Sequence, residues 1–270
     1  MIDPEIALYY NRGDERERLT AGGDSLELVR TKELIERVLP APPVEVLDVG
    51  GGTGVYAAWL ARLGYRVQLI DPMPLHAEQA EAAAAAQPAH PFAASLGDAR
   101  RLPVDATSVD AVLLLGPLYH LTERADRITA LREAYRVLRP GGVLLAVGIS
   151  RMASLLDALR QGLLHQPEAA AIVERDLRNG QHRNPDRHLG WFTTAYFHVP
   201  DELAVEVVAV GFEVESVLGI EGPGGYVGTG WGDPARRESI LAAARAVERE
   251  PSIIGLSAHL LVVGHKPDLT

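Results

Sequence analysis

The stretch from Val46 to Tyr56 constrains the fold of this chain more than any other segment. It reads Val-Leu-Asp-Val-Gly-Gly-Gly-Thr-Gly-Val-Tyr, so an apolar run leads into four glycines within five residues. Glycine permits a tight turn and leaves bare backbone against which a ligand can lie. A helical pattern follows, and the N-terminus of a helix offers unpaired N–H groups to a ligand. Strand, glycine turn and helix together predict the opening of a nucleotide-type α/β unit.

Apolar runs separated by turn residues predict the rest of the sheet. Five strands, at about 44–49, 67–70, 91–95, 109–115 and 143–149, alternate with helical patterns, and two more follow at about 212–220 and 258–263. This alternation is typical of an α/β fold with a doubly wound, mostly parallel, seven-stranded sheet. Right-handed crossovers place the ligand crevice of such a sheet at the carboxyl ends of its strands.

The order of these patterns predicts four parts in a chain of 270 residues. We expect an N-terminal helical lid over 1–43, a ligand-binding core over 44–150, and a helical cap insertion that contacts the substrate over 151–199. Residues 200–270 complete the core with the last helices and strands six and seven. Because the insertion directly follows the fifth strand, we expect it on the ligand side of the sheet.

Composition excludes several classes of function. A formal net charge of −10 argues against a nucleic-acid groove, which needs a basic face. The chain has no cysteine, which removes disulfides, thiolate metal sites and cysteine nucleophiles. No apolar run approaches the ~18 residues that span a bilayer, and the N-terminus carries no apolar signal segment. We therefore expect a cytoplasmic protein with a small-molecule partner and neither a nucleic-acid nor a membrane partner, and we leave a homodimer open.

The spacing of the glycines bears on which ligand the turn holds. A dinucleotide fingerprint requires G-x-G-x-x-G, but its third glycine position is occupied by Val55. The spacing present is G-x-G-x-G, at 50, 52 and 54, preceded by Asp48 at the end of the strand. A carboxylate beside the loop repels phosphates but is compatible with a ribose and a zwitterionic amino-acid tail. The loop therefore favours a ligand without phosphate.

The motif set as a whole resembles that of class I S-adenosylmethionine-dependent methyltransferases. The segment Val46 to Tyr56 is similar to their first motif, Asp71 ends the second strand, and Asp98 follows the third. The segments Leu115 to Leu121 and Leu138 to Gly142 are similar to the branch that contains the ubiquinone/menaquinone-biosynthesis C-methyltransferases, with a type-11 methyltransferase domain.

This resemblance implies a Rossmann-like methyltransferase fold in which 44–150 binds S-adenosylmethionine and releases S-adenosylhomocysteine. Asp71 takes the position of the acid that accepts hydrogen bonds from the ribose hydroxyls, and Asp98 that of the acid beside the adenine amino group. The implied cofactor contacts are Asp48, Gly50, Gly51, Gly52, Thr53, Gly54, Asp71, Pro72, Asp98, Ala99 and Leu115. Each acid also has a purely structural interpretation: Asp71 and Asp98 as turn residues, and Asp48 as a cap for the amides of the loop.

The candidates for catalysis are Tyr119 and His120, which follow the fourth strand. Because the sulfonium already carries an activated methyl group, the main task is in-line positioning, and a base is needed only when the acceptor loses a proton. His120 titrates near neutrality and suits that role, although it could simply bond to backbone at a helix N-terminus. Methyltransferases that act on nitrogen carry Asn/Asp-Pro-Pro-aromatic where this chain has Gly116-Pro117-Leu118-Tyr119. We therefore expect an oxygen or carbon acceptor.

The candidates for substrate binding lie in the lid and in the insertion. They are Tyr9, Tyr10, His182, Arg183, Tyr196 and His198. The alternative for the insertion is a solvated turn that leads into the next helix. His182 and His198 could be imagined as metal ligands beside Asp186 or His188, but the spacing matches no known site, and we predict no metal.

Two functions of other classes remain open. An NAD-dependent Rossmann oxidoreductase is disfavoured by Val55 and Asp98 but shares the general pattern. A non-catalytic protein that binds S-adenosylmethionine would use the same loop. A third possibility, methylation of RNA, is disfavoured by the net charge.

Overall fold

The computed structural model describes residues 2–11, 13, 24–185, 191–227 and 231–268. Within them, strands from the whole length of the chain form one nine-stranded sheet. The strands are β1 (Glu45–Val49), β2 (Arg66–Asp71), β3 (Ala93–Leu96), β4 (Val109–Leu114), β5 (Leu138–Ser150), β6 (Gln181–His182), β7 (Ala195–His198), β8 (Glu213–Gly219) and β9 (His259–His265).

Helices connect most of these strands. They are α1 (Pro4–Tyr10), α2 (Leu26–Val38), α3 (Val55–Arg62), α4 (Pro74–Ala85), α5 (Pro117–His120), α6 (Arg124–Val137), α7 (Ala153–Gln161), α8 (Pro167–Asn179), α9 (Pro200–Val208) and α10 (Pro234–Val247). Several begin with proline, whose missing N–H costs nothing in the first turn. Among the described residues, no helix has the length and apolar character that a membrane crossing requires.

The sheet has the order β3-β2-β1-β4-β5, continued by β9 and β8. Pairing is parallel from β3 to β5, whereas β9 runs antiparallel to both of its neighbours. The mostly parallel α/β sheet predicted from the sequence is therefore confirmed, and its seven strands correspond to β1–β5, β8 and β9. The strand β5 begins earlier than predicted, because the Arg139-Pro140-Gly141-Gly142 turn forms a bulge within it.

Two hydrophobic cores cover the two faces of the sheet. Val46 packs into a cluster with α2 and α3, whereas its neighbour Leu47 packs into a cluster with α6 and α9. In β4 the same alternation sends Leu113 to the first core and Leu114 to the second. Burial on both faces explains why these strands are nearly continuous apolar runs.

The insertion after β5 contains strands as well as helices. α7 and α8 pack against each other around a small apolar cluster that includes Ala158, Ile172 and Trp191. The short strands β6 and β7, which the sequence did not predict, then form an antiparallel pair. β7 also pairs in parallel with the last residues of β5, Ile149 and Ser150, and it lies against α5. The insertion is thereby attached to the edge of the sheet at which the parallel strands end.

A buried ion pair joins the second core to this insertion. Arg127 of α6 donates to both carboxylate oxygens of Glu206 in α9, at 2.9 and 2.7 Å. Its Nη1 donates to the carbonyls of Leu121 and Thr122, and its guanidinium carbon lies 3.8 Å from the centre of the Tyr196 ring. Arg127 and Glu206 are each only 1% exposed, so each charge depends on the other for compensation.

We predict that Arg127→Met lowers the free energy of unfolding by about 3–5 kcal/mol, because it leaves the Glu206 carboxylate buried without its partner. Urea denaturation of the variant and the wild type measures the difference. The matched control is Arg124→Met, because Arg124 approaches the same carboxylate at 3.7 Å but its side chain is 59% exposed. The control should unfold at nearly the wild-type urea concentration. Equal losses of stability in the two variants would contradict the assigned importance of the buried pair.

Candidate cofactor and active site

The glycine loop at the end of β1 adopts a conformation that other residues disfavour. Gly50, Gly52 and Gly54 have φ of 69°, 57° and 84°, within the left-handed region that glycine enters without steric cost. A Cβ atom at Gly50 would lie 2.7 Å from the ring of Pro117, and one at Gly51 would lie 2.5 Å from Oδ2 of Asp48. The loop therefore needs glycine both for its turn and for its close contacts with its surroundings.

Asp71 ties this loop to the end of β2. The carboxylate is 3% exposed, and its Oδ2 accepts from the Gly52 amide at 2.9 Å. Its Oδ1 accepts from the Met73 amide at 2.9 Å and contacts Nδ1 of His76 at 3.1 Å. Because each carboxylate oxygen has two lone pairs, Oδ2 retains the capacity to accept from a ligand hydroxyl.

A cavity of about 310 Å³ opens beside Asp71 at the carboxyl ends of the strands. Of the predicted cofactor contacts, Gly50, Gly52, Asp71, Pro72, Asp98 and Ala99 line it. This volume is at the lower end of the range of small-molecule sites. Ile2, Asp3, Ile6 and Tyr10 line the same cavity, so α1 and the residues before it form one of its walls.

Asp98 lies in this cavity with an arginine beside it. Arg100 donates through Nε and Nη2 to the Asp98 carboxylate, at 2.9 and 2.6 Å, and through Nη1 to Asp126 at 2.8 Å. These hydrogen bonds lower the pKa of Asp98, so the side chain remains a carboxylate near neutral pH. An amino group of a ligand at this position would share Asp98 with Arg100.

A second, smaller cavity of about 60 Å³ meets the first at the glycine loop. Gly50, Gly52, Gly116 and Tyr119 line both cavities. Asp48, Gly51, Thr53 and Leu115, also predicted as cofactor contacts, line the second one. Gly54 lines neither: it is the residue before α3, and its position is explained by the turn.

Asp48 is a buried carboxylate with no hydrogen-bond partner for either oxygen among the described residues. It is 1% exposed, and burial, reinforced by the charge of Asp71, raises its pKa to about 7. Such a group needs a compensating donor or cation. The ammonium of an amino-acid tail is such a cation. The two joined cavities therefore fit a ligand with an adenosine end and an amino-acid end.

Tyr119 and His120 follow β4 in the short helix α5, which the sequence did not predict. Tyr119 lies at the junction of the two cavities, and His120 lines the first. Nε2 of His120 is 2.6 Å from the Tyr10 hydroxyl, and Nδ1 is 3.4 Å from the Thr194 carbonyl. His120 thus connects the N-terminal helix with the insertion.

The predicted substrate residues divide into two groups. Tyr10 lines the first cavity and packs edge-on against His76 and His120, whereas Tyr9 packs against Phe192, with 5.5 Å between ring centres. The N-terminal helix is fastened to the insertion, because Glu5 accepts from the hydroxyl of Thr194. Of the aromatic pair in the predicted lid, Tyr10 lines the cavity and Tyr9 does not.

The four predicted substrate residues of the insertion line neither cavity. His182, 1% exposed, contacts Asp176 at 2.7 Å through Nδ1 and the Phe192 carbonyl at 3.2 Å through Nε2, and its ring stacks on Phe197. Arg183 donates to the carbonyl of His182. These contacts hold the insertion together.

Tyr196 and His198 are likewise part of the packing between the insertion and the core. The Tyr196 hydroxyl donates to Glu202, while its ring packs against Arg127. His198 is fully buried, and burial lowers its pKa. Asp186 and His188, considered above as metal ligands, lie outside the described residues.

The structure adds site residues that the sequence analysis did not name. His76 follows Asp71-Pro72 by one helical turn, so its proximity to Asp71 could have been read from the sequence. Thr31 of α2, His259 of β9 and the ring of Phe192 reach the site from distant parts of the chain. No local pattern distinguishes these three from ordinary core or surface positions.

Comparison with known proteins identifies the class of this domain. Residues 47–146 match the family model described as a methyltransferase domain. An uncharacterized methyltransferase from Mycobacterium tuberculosis is 41% identical over 110 residues, which cover 41% of this chain and 42% of that protein. The ubiquinone/menaquinone biosynthesis C-methyltransferase UbiE of Rubrivivax gelatinosus is 34% identical over 168 residues, which cover 58% of this chain and 62% of that protein.

A solved structure supports the same fold. The SAM-dependent methyltransferase from Methanosarcina mazei has a TM-score of 0.60 and 21% identity, and the match covers 87% of this chain and 98% of that one. Residues 47–146 are therefore a methyltransferase domain with the fold of class I S-adenosylmethionine-dependent methyltransferases, and they are related to the branch that contains UbiE. The chain spans about two fifths, 42%, of the length of the first curated relatives it matches.

We predict that Asp48→Asn changes how stability depends on pH. An aspartate in an unfolded chain has a pKa of about 3.9, whereas that of Asp48 is raised to about 7. Between these values the folded protein holds a proton that the unfolded chain has lost, so the free energy of unfolding decreases as pH rises. The stability of the variant relative to the wild type should therefore be greater near pH 8 than near pH 5.

Urea denaturation without cofactor at the two pH values measures this effect. Asp105→Asn, at an exposed loop position, serves as the control and should keep the wild-type pH dependence. An Asp48→Asn variant whose stability difference from the wild type is the same at both pH values would show that Asp48 titrates normally.

We predict that Asp71→Asn weakens binding of S-adenosylhomocysteine by about 2 kcal/mol, because the ligand hydroxyls lose a charged acceptor. That loss is a roughly 30-fold increase in Kd, measurable by calorimetry. Asp105→Asn again provides the control and should bind as the wild type does. Unchanged affinity in Asp71→Asn, with an intact circular dichroism spectrum, would remove Asp71 from the cofactor site.

Proposed function

We propose that this protein transfers the methyl group of S-adenosylmethionine to an oxygen or carbon nucleophile of a small-molecule acceptor by in-line displacement. The observation that carries the proposal is the pair of joined cavities. One end holds Asp71 and Asp98, the other holds the orphaned Asp48 carboxylate, and Tyr119 lies where the two meet. When bound, the sulfonium supplies an activated methyl group.

The side chains of the chain bind and orient both reactants. In this proposal Asp71 accepts from the ribose hydroxyls, Asp98 from the adenine amino group, and Asp48 pairs with the ammonium. The charge match at Asp48 is strong because the carboxylate is buried, where electrostatic interactions are weakly screened. Tyr119 and His120 are the proposed side chains closest to the reacting groups.

Exclusion of water is the second proposed task of the chain. The N-terminal segment 1–43 and the insertion 151–199 act as lid and cap over the first cavity. Tyr10, His120, Thr194 and Glu5 connect the two parts through hydrogen bonds. Closing the site over its ligands removes competing water and holds the nucleophile in line with the methyl group.

A small molecule is the proposed acceptor because α1 forms one wall of the first cavity and because the protein has a net charge of −10, which is unsuited to RNA. Oxygen or carbon is proposed because Gly116-Pro117-Leu118-Tyr119 replaces the pattern of nitrogen-methylating enzymes. The name of the relative UbiE, a ubiquinone/menaquinone biosynthesis C-methyltransferase, supports a carbon acceptor. We place this activity in the cytoplasm.

The test combines ligand binding with methyl transfer. S-adenosylmethionine and S-adenosylhomocysteine should raise the melting temperature of the purified protein, whereas NAD(H) should not. Incubation with methyl-labelled cofactor and a panel of phenols, enols, quinols and amines should label a hydroxyl or carbon acceptor and release S-adenosylhomocysteine, detected by mass spectrometry.

Each rival has its own outcome in this test. Stabilisation by NAD(H) alone would identify an oxidoreductase. Tight binding of S-adenosylmethionine without transfer to any acceptor would identify a non-catalytic binding protein. Labelling of amines in place of hydroxyls or carbon would overturn the assigned acceptor class while keeping the reaction.

A further inference from the structure

His76 has one ring nitrogen that the contacts within the protein do not use. It lies in the first turn of α4 and lines the first cavity. The residue is 3% exposed, and its Nδ1 lies 3.1 Å from Oδ1 of Asp71. Nε2, in contrast, is buried and has no hydrogen-bond partner among the described residues. Because buried polar atoms are almost always paired, the state of Nε2 calls for an explanation.

Packing alone does not account for a histidine at this position. The ring of Tyr10 packs edge-on against that of His76, with 5.0 Å between the ring centres. A phenylalanine could make the same edge-on contact without burying an unpaired nitrogen. The unpaired Nε2 makes the protein less stable, and a ligand in the cavity that supplies a partner for it would remove that penalty.

The hydrogen bonds of Asp71 show where such a partner is needed. An ionised carboxylate offers about four lone-pair sites, two on each oxygen. Oδ1 accepts from the Met73 amide and contacts Nδ1 of His76, while Oδ2 accepts from the Gly52 amide. Both sites of Oδ1 are therefore used within the protein, and a single site on Oδ2 remains for a ligand.

A ribose presents two neighbouring hydroxyls, so Asp71 as it is held here has room for one of them. The other hydroxyl also leaves water when it enters the site, and a buried hydroxyl without a partner is unfavourable. Nδ1 and Nε2 of an imidazole are separated by a single ring carbon. Nε2 of His76 therefore lies just beyond the contact with Asp71, beside the carboxylate that receives the first hydroxyl.

The contact with Asp71 also decides how Nε2 can bind a ligand. An ionised carboxylate only accepts hydrogen bonds, so Nδ1 of His76 carries a proton. In the neutral ring Nε2 is then an acceptor, and in the charged ring it is a donor. A hydroxyl both donates and accepts, so a ribose hydroxyl can pair with Nε2 in either state of the ring.

We propose that Asp71 and His76 share the ribose of the cofactor, so that Oδ2 of Asp71 accepts from one hydroxyl and Nε2 of His76 pairs with the other. This inference rests on the S-adenosylmethionine binding of the proposed function. His76 is then a binding residue that makes the site selective for ribose over deoxyribose. Tyr10, whose ring packs against the imidazole, holds it in this orientation.

The test measures ligand affinity by calorimetry in His76→Asn. Asparagine keeps an N–H near the position of Nδ1, available to Asp71, but has no atom at the position of Nε2. The Kd for S-adenosylhomocysteine should rise roughly tenfold, because one ribose hydroxyl loses its partner in a buried site. His90→Asn, at an exposed position, is the matched control and should bind as the wild type does.

Deoxy analogues of S-adenosylhomocysteine separate a ribose contact from an effect on the fold. The 2′-deoxy and 3′-deoxy compounds should each bind the wild type more weakly than the parent compound. In His76→Asn one of these two losses should disappear, because the partner of that hydroxyl is already gone, and the other should remain. His76→Gln, whose longer amide reaches toward the position of Nε2, should keep both. A variant that acts only through the fold would also keep both losses in His76→Asn, and that result would overturn the inference.

A structure of the wild type with S-adenosylhomocysteine checks the geometry without any variant. A ribose oxygen should lie within hydrogen-bond distance of Nε2 of His76, and its absence there would overturn the inference even if a variant failed to fold. Unchanged affinity in His76→Asn, or a change confined to the KM of the methyl acceptor, would overturn it and leave the proposed function standing. If the wild type binds neither S-adenosylmethionine nor S-adenosylhomocysteine, this inference and the proposed function both fail.

Discussion

The hydrogen bond from the Gly52 amide to the Asp71 carboxylate is the contact on which the geometry of this site depends. It connects the loop after β1 to the end of β2, and it leaves the loop glycines close to Pro117 at the start of α5. Three strand ends are thereby held against one another. The loop after β1 and the segment after β4 both carry glycine where they approach each other. A larger residue at either place would occupy the space in which the two cavities meet.

The burial of Asp48 follows from the same packing. Gly51 lies close to its carboxylate, which has no hydrogen-bond partner among the described residues. Natural proteins keep such groups where binding or catalysis uses them. The buried carboxylate of Asp48 is therefore the proposed partner of a ligand cation.

The insertion contributes to the site through its backbone and its packing. His182, Tyr196 and His198 resemble candidate ligand groups in the sequence, yet each is buried against the core or within the insertion. His182 contacts the carbonyl of Phe192, and Phe192 and Thr194 in turn contact the N-terminal helix and His120. These polar residues therefore stabilise the packing of the insertion. The sequence alone allowed both a structural role and a role in substrate binding for them.

The sequence by itself determined the sheet, the glycine loop and the acids at the ends of the strands. Glycine spacing, apolar runs and the position of Asp71 and Asp98 after their strands are local properties, because each depends on backbone conformation or on burial of a continuous segment. The short strands β6 and β7 were not predictable, since two and four residues carry no periodic signal. β7 pairs with the last residues of β5, beyond the stretch that pairs with β4.

The tertiary structure alone decided which side chains from separate elements meet. Thr31, Glu221 and His259 lie far apart in the chain, and the antiparallel insertion of β9 beside β5 brings His259 to the second cavity. Likewise, Tyr10 meets His120 across 110 positions of sequence. Such contacts arise from packing of distant elements, and no spacing within a single segment records them.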